Sequence, residues 1–171
     1  MAALKVFKDE QPWRLETEDE LKSYLDEIFL EGPNSVPGVA TTFQVVDDQI
    51  KNEEAPGNVL TIGIDRESGY GAVLWYCDGD TFYLILKEFG EDVAENVWVS
   101  FNPRPPEVDP QVVCDPWCPS YFDRFSALPL SVVRSVVEAY FLAGTGFRPQ
   151  QILWAKGDFT GGLQRGEGED R

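Results

Sequence analysis

Two rhythms of apolar and polar positions run along this chain. In LETEDELKSYLDEIFLEG, Leu21, Tyr24, Leu25, Ile28 and Phe29 recur at three- and four-residue intervals, which places them on one face of a helix. Thr17 with Glu20 three positions later forms a capping box at its start, Gly32 stands where a C-cap belongs, and Pro33 and Pro37 prevent continuation. The helical rhythm returns in LPLSVVRSVVEAYFLAG. There Val132, Val133, Val136, Val137, Tyr140 and Phe141 make an apolar face broad enough to lie on a sheet, with Ser131 as the expected N-cap and Gly144 or Gly146 as the end.

Between these helices the pattern shortens to strand-like runs. Strands are expected at Val39–Asp47, in VLTIGIDRES, on both sides of an Asp78-Gly79 hairpin turn in GYGAVLWYCDGDTFYLIL, and in NVWVSF. QILW adds a short last strand after Pro149. A proline-rich stretch, NPRPPEVDPQVVCDPWCPSYFD, has no regular period, and loops of that length in compact domains are often functional. The expected architecture is α+β: one domain over residues 1–155, an antiparallel sheet of about six strands with two helices packed on it, and a disordered polar tail over 156–171.

Charge narrows the class. The 171 residues carry 30 Asp and Glu against 14 Lys and Arg, a formal net charge of −16. Direct nucleic-acid binding is the reading most damaged, because phosphate contacts require clustered cations. An acidic chain is either simply well solvated or steered toward a basic partner. Histidine is absent, which removes the commonest general base and the commonest metal ligand. The N-terminus lacks the apolar core of a signal peptide and no apolar run is long enough for a membrane helix, so a cytoplasmic location is expected.

Chemical motifs are sparse. Cys77, Cys114 and Cys118 are expected as reduced thiols; CDPWC could begin a zinc site only if Cys77 and a carboxylate completed it. GYGAVL lacks the third glycine of a dinucleotide fingerprint. Carboxylates are too numerous for any pair to single out a hydrolase, which stays as an alternative. No catalytic residue, metal or cofactor is assigned. Trp13, Trp75, Trp98 and Trp154 sit in or beside apolar runs and are expected in the core or half-buried. Trp117, between two cysteines in the proline-rich stretch, is either an anchor tucked under the sheet or an exposed binding anchor.

SALPLSVVRSVVEAYFLAGTGFRPQQILW resembles the C-terminal signature of the first immunity-protein family of bacterial polymorphic toxin systems. In that signature a helix ends in a small-residue turn, followed by Arg-Pro and a strand closing on tryptophan; the matching positions are Gly144, Arg148, Pro149 and Trp154. LTIGIDRESGYGAVLWYCDGD and VSFNP resemble the family's central strands. The resemblance implies an antitoxin that binds a cognate toxin domain, often a nucleic-acid deaminase, and blocks it without catalysis.

Such a toxin needs a basic substrate groove, which an acidic protein suits as an occupant, alone or in a 1:1 complex. A promiscuous nucleic-acid mimic is the close alternative. In a simple meander, alternate connections share one end of the sheet. That end would gather Asp47, Asp48, Glu53, Glu54, Asp78 and Asp80 with Asp115, Trp117, Tyr121 and Asp123 of the proline-rich loop, as the toxin-binding surface. The opposite end would carry Asp65, Glu67, Glu88, Glu91, Asp92 and Glu95. Arg148, Pro149 and Trp154 are expected to fix the helix-to-strand turn.

Overall fold

The computed structural model describes residues 3–7, 12–30, 39–46 and 56–164. Ten strands and four α-helices follow in chain order: β1 (Ala3–Phe7), β2 (Trp13–Leu15), α1 (Glu18–Leu30), β3 (Val39–Val46), β4 (Asn58–Asp65), β5 (Tyr70–Cys77), α2 (Gly79–Phe89), α3 (Glu91–Ala94), β6 (Val97–Phe101), β7 (Val113–Asp115), β8 (Ser120–Tyr121), β9 (Leu128–Pro129), α4 (Leu130–Ala143) and β10 (Leu153–Gly157). A short 3-10 helix, Arg124–Ser126, precedes β9.

The α+β class holds, but the sheet has eight strands, more than the six expected. Its order is β10-β6-β5-β4-β3-β1-β2, with β9 pairing β5 off that path. All its pairings are antiparallel. Strands β3, β4, β5 and β6 are neighbours in that order, but the strand expected between β5 and β6 is the helix α2. The N-terminal β1 and β2, unforeseen, extend the sheet on one side.

Each strand splits its side chains between two faces, and the two faces bury different things. On one, Leu4, Val6, Phe43, Val45, Leu60, Ile62, Ile64, Val73 and Trp75 meet the apolar stripes of α1 and α4, with Ile85 of α2. Arg134 joins the two long helices, reaching Asp26 at 2.6 Å and Glu138, one turn on, at 3.0 Å. On the other face a smaller cluster packs Ala72, Leu74, Val97 and Val99 under Val112, Cys114 and Phe122 of the proline-rich stretch. Gly63 makes this close approach possible: a Cβ there would stand 2.3 Å from the Val113 carbonyl oxygen.

Several local expectations hold. Thr17 Oγ1 accepts the Glu20 N–H at 3.2 Å, and Glu20 Oε2 accepts the Thr17 N–H at 3.0 Å, a capping box that starts α1. Gly144 ends α4 in the left-handed conformation, its N–H donating to the Tyr140 carbonyl. The expected C-cap Gly32 lies outside the described residues.

Others are corrected. Ser131 is not the N-cap of α4: that position is Pro129, two residues earlier, and the helix starts at Leu130. The hairpin turn lies at residues 66–69, between β4 and β5, not at Asp78-Gly79. Asp78 is instead the N-cap residue of α2, with its carbonyl accepting the Phe82 N–H at 2.8 Å. The β-rich TFYLIL is helical because Thr81 and Ile85 are buried one turn apart while Tyr83 and Leu84 face out. β10 continues through Gly157, two residues past the expected domain end, and a turn at Asp158 brings Leu163 back to pair with Gly157.

Candidate functional site

The proline-rich stretch is an excursion that leaves β6 and folds back over the second face of the sheet. Its hairpin, β7 and β8, turns through residues 116–119. Asp115 shapes that turn: its Oδ1 accepts the Trp117 N–H at 2.8 Å and the Cys118 N–H at 3.3 Å. Below the turn the hairpin is anchored. Val112, Cys114 and Phe122 are buried, the Phe122 N–H donates to the Val112 carbonyl at 2.8 Å, and the Asp123 N–H donates to the Gly161 carbonyl at 3.2 Å. A fixed base therefore carries an exposed tip. Trp117 is 91% exposed, so it is not tucked under the sheet.

Between this tip and the sheet lies a groove of about 430 Å³. Its floor comes from the outward-facing positions of β3, β4 and β5, including Thr42, Gln44 and Thr61. Thr42 and Thr61 pair across the strands, hydroxyl to hydroxyl, at 2.9 Å. Aromatic rings of Phe7, Tyr76, Phe159 and Trp117 line its sides. Phe159 stands edge-on to Tyr76, with centroids 4.9 Å apart, and remains largely exposed. Burial, helped by the Asp78 carboxylate, raises the Tyr76 phenol above its usual range.

Carboxylates flank the groove. Asp115 lines it, and Asp115 and Asp158 both act electrostatically on the Cys114 thiol. Asp158 closes the turn after β10, accepting the Thr160 hydroxyl at 2.5 Å and the Thr160 N–H at 2.8 Å. The Thr160 hydroxyl is the main influence holding its carboxyl below the ordinary range.

The ten residues expected to gather at one end distribute differently. Asp47, Asp48, Glu53 and Glu54 lie outside the described residues. Asp115, Trp117 and Tyr121 share the β7–β8 hairpin, with Trp117 and Tyr121 exposed. Asp123 is a structural cap, its Oδ1 accepting the Phe125 N–H at 2.8 Å. Asp78 and Asp80 are exposed at the start of α2.

The meander argument fails at α2. One expected strand is a helix, so β6 runs the other way and delivers Asn102 to the end of the sheet far from Asp78. The excursion then returns across the sheet face, which brings Trp117 over Val59 and Tyr76, one register step from the end where Asp78 stands. The expected opposite end is split as well. Asp65 and Glu67 lie at the β4–β5 turn, while Glu91, Asp92 and Glu95 lie on or beside α3, before β6 begins. The sequence reading missed Phe7, Thr42, Gln44, Thr61, Tyr76 and Phe159; alternation along β3 and β4 was the available signal for the three polar ones.

The cysteines are separated by the sheet. Cys77 packs in the helix-covered core and Cys114 in the second cluster. Burial pushes both thiols up to about 11. Among the described residues no group of three Cys, Asp or Glu side chains is placed to hold a metal ion, and no helix is long and apolar enough to cross a membrane.

The link from α4 to β10 is a stack. The Arg148 guanidinium lies over Trp98, the Trp154 indole N–H donates to the Pro149 carbonyl at 2.7 Å, and the Trp75 indole N–H donates to the Gly146 carbonyl at 3.1 Å. Arg148, Pro149 and Trp154 are three of the four signature positions; the fourth, Gly144, ends α4. The family model described as Immunity protein Imm1 matches residues 9–156 of the chain. The chain belongs to the Imm1 family of immunity proteins.

The match reaches well beyond the C-terminal signature, taking in α1 and the whole Trp117 excursion. No curated protein and no solved structure matches the chain. Membership of an immunity-protein family implies a toxin partner. Arg148, Pro149 and Trp154 fall to the scaffold: Trp154 is bonded within the turn, and Arg148 is half-buried against indole rings.

Proposed function

We propose that this immunity protein acts in the cytoplasm by binding one cognate toxin domain, 1:1, and covering a basic substrate cleft of a nucleic-acid-targeting toxin such as a deaminase. It does so as an inhibitor, without turnover and without a cofactor. The observation that carries this reading is the pairing of a net charge of −16 with a tryptophan that is 91% exposed at the tip of an anchored hairpin. A toxin acting on DNA or RNA presents cations to phosphate, and an anionic surface competes for them. Asp78, Asp80 and Asp115 supply local charge; Asp47, Asp48, Glu53 and Glu54, outside the described residues, belong to the same proposed surface. Trp117 and Tyr121 supply the desolvated contact that slows release.

Charge and ring contribute to different rate constants, which makes the reading testable. Long-range attraction lifts association toward about 10⁸ M⁻¹s⁻¹ at low salt and is screened over about 8 Å at physiological ionic strength. With the toxin domain encoded by the adjacent gene, Asp78→Lys with Asp80→Lys slows association and flattens its salt dependence. Trp117→Ala raises the dissociation rate, at a cost of about 2 kcal/mol. Unchanged rates in both variants refute this surface. Equal affinity for unrelated basic proteins would replace a cognate inhibitor with a promiscuous mimic.

A further inference from the structure

The second face of the sheet is treated unequally. Over Ala72, Leu74, Val97 and Val99 the excursion seals it with apolar side chains. Over β3 and the first half of β4, Thr42, Gln44 and Thr61 remain only half-buried, with Trp117 standing above them. That floor is neither greasy enough to be core nor charged, as a purely solvent-facing strand usually is. It offers hydroxyl and amide groups, aromatic walls, and a carboxylate at the rim.

The groove's electrostatics select its occupant. None of its lining side chains among the described residues is cationic, and Asp115 is the charged one. Among the described residues Asp115 has hydrogen bonds only at Oδ1, both from backbone N–H groups, so Oδ2 has no partner there. A guanidinium or ammonium set against Trp117, Tyr76 or Phe159 gains from the ring faces and from Asp115 together. A phosphate in the same place would meet only the Asp115 carboxylate among the described lining side chains, while Lys5, opposite Gln44 in the β1–β3 register, stands on the same face outside that lining. The volume, about 430 Å³, falls within the range of ordinary ligand pockets and gives room for a side chain with its flanking backbone.

We infer that the groove beneath Trp117 receives a basic loop of the toxin, seating an Arg or Lys side chain between the aromatic wall and Asp115 above the Thr42–Thr61 floor. The inference rests on the immunity reading and adds to it the site and the chemistry of contact. It also divides the surface: the acidic start of α2 guides encounter, and the groove holds the bound loop.

Cys118 provides a direct test. It is exposed next to Trp117, whereas Cys77 and Cys114 are buried. A benzophenone maleimide attached at Cys118 is irradiated in complex with the toxin domain encoded by the adjacent gene, and the cross-linked peptide is identified by mass spectrometry. Affinities are measured in parallel for the unsubstituted protein, Trp117→Ala, Thr61→Arg and a control, Leu142→Ala, exposed on α4. Circular dichroism checks each fold, and Gln44→Lys replaces Thr61→Arg if the latter does not fold.

The expected result is a cross-link to a Lys- or Arg-bearing toxin loop. Affinity should fall about tenfold or more for Trp117→Ala and for the cation planted on the groove floor, with Leu142→Ala unchanged. Folded groove variants that bind within about twofold of the unsubstituted protein overturn the inference, as does a cross-link to a toxin segment without cations. If the unsubstituted protein itself fails to bind, the immunity reading falls with it; if it binds and the groove variants are indifferent, the groove and Trp117's contact role are lost while the immunity reading stands.

Discussion

The guanidinium carbon of Arg148 lies 4.0 Å from the centroid of the Trp98 ring and 5.9 Å from that of Trp154. Trp98 belongs to β6 and Trp154 to β10, its neighbour, so one cation clamps two adjacent strands to the turn that leaves α4. Among the described residues its Nε and Nη1 are buried without a hydrogen-bond acceptor, which leaves the indole faces as their main partner. Burial lowers the guanidinium's pKa from its usual value, and Asp92 acts against that. Asp92 is also ion-paired to Lys156 of β10.

Replacing this cation should therefore cost stability rather than recognition. Arg148→Ala is expected to lower unfolding free energy by about 2 kcal/mol, and Arg148→Met by less because its chain still covers the indole. Urea unfolding measures both. A loss below about 0.5 kcal/mol for Arg148→Ala would place it among ordinary surface changes and remove the clamp.

A second buried relationship ties four elements through Asn58. Its Oδ1 accepts the Val45 N–H at 2.6 Å and the Tyr140 hydroxyl at 2.6 Å, while its Nδ2 donates to the Val45 carbonyl at 3.0 Å. Thr81 of α2 stands 3.5 Å from the same amide and donates to the Pro56 carbonyl. Tyr140→Phe leaves part of this network unsatisfied and should cost about 1–3 kcal/mol. Gly146→Ala should be more severe than an ordinary surface glycine replacement. Its φ is +71°, and a Cβ there would stand 2.6 Å from the Asn58 side-chain carbon. Thermal unfolding of both variants checks this, and an unshifted midpoint for Gly146→Ala would contradict the packing.

The three thiols should differ in reactivity and in their effect on stability. Iodoacetamide at pH 8 is expected to modify Cys118 alone in the folded protein and all three cysteines in urea, because Cys77 and Cys114 are buried and held protonated up to about 11. The unfolded chain releases those protons near the ordinary value of 9.0. Between about 9 and 11 it therefore binds fewer protons than the folded chain, and stability falls as pH rises. The contribution is complete below 9.0. Cys77→Ala should flatten that alkaline fall in the urea midpoint; an identical slope in the variant would contradict the assignment.

Local chemistry was legible and long-range placement was not. The Thr17–Glu20 box could be found because both partners lie within one helical turn, and Gly144 because a left-handed end suits glycine. Alternation in ALKVF, with Leu4 and Val6 inward and Lys5 between them, was a usable signal for β1 that length alone disguised. α2 misled because Thr, Phe, Tyr and Ile favour strands in isolation, whereas burial of Thr81 and Ile85 against the sheet decided for helix. That single exchange reversed β6 and undid the argument about shared ends. Trp13, expected in the core or half-buried, is 51% exposed on the edge strand β2, its ring edge-on to Tyr24. β7 and β8 are too short to show a period, so the groove they roof could be seen only after folding.

The central claim is that this Imm1 protein neutralises its toxin by occupying it. The most direct measurement is the activity of the purified toxin domain from the adjacent gene on its own substrate, titrated with this protein. Activity should fall in proportion to added protein and vanish near one equivalent, with no chemical change in toxin or substrate. Full toxin activity in the presence of excess folded protein, or inhibition by far less than one equivalent, would contradict the account.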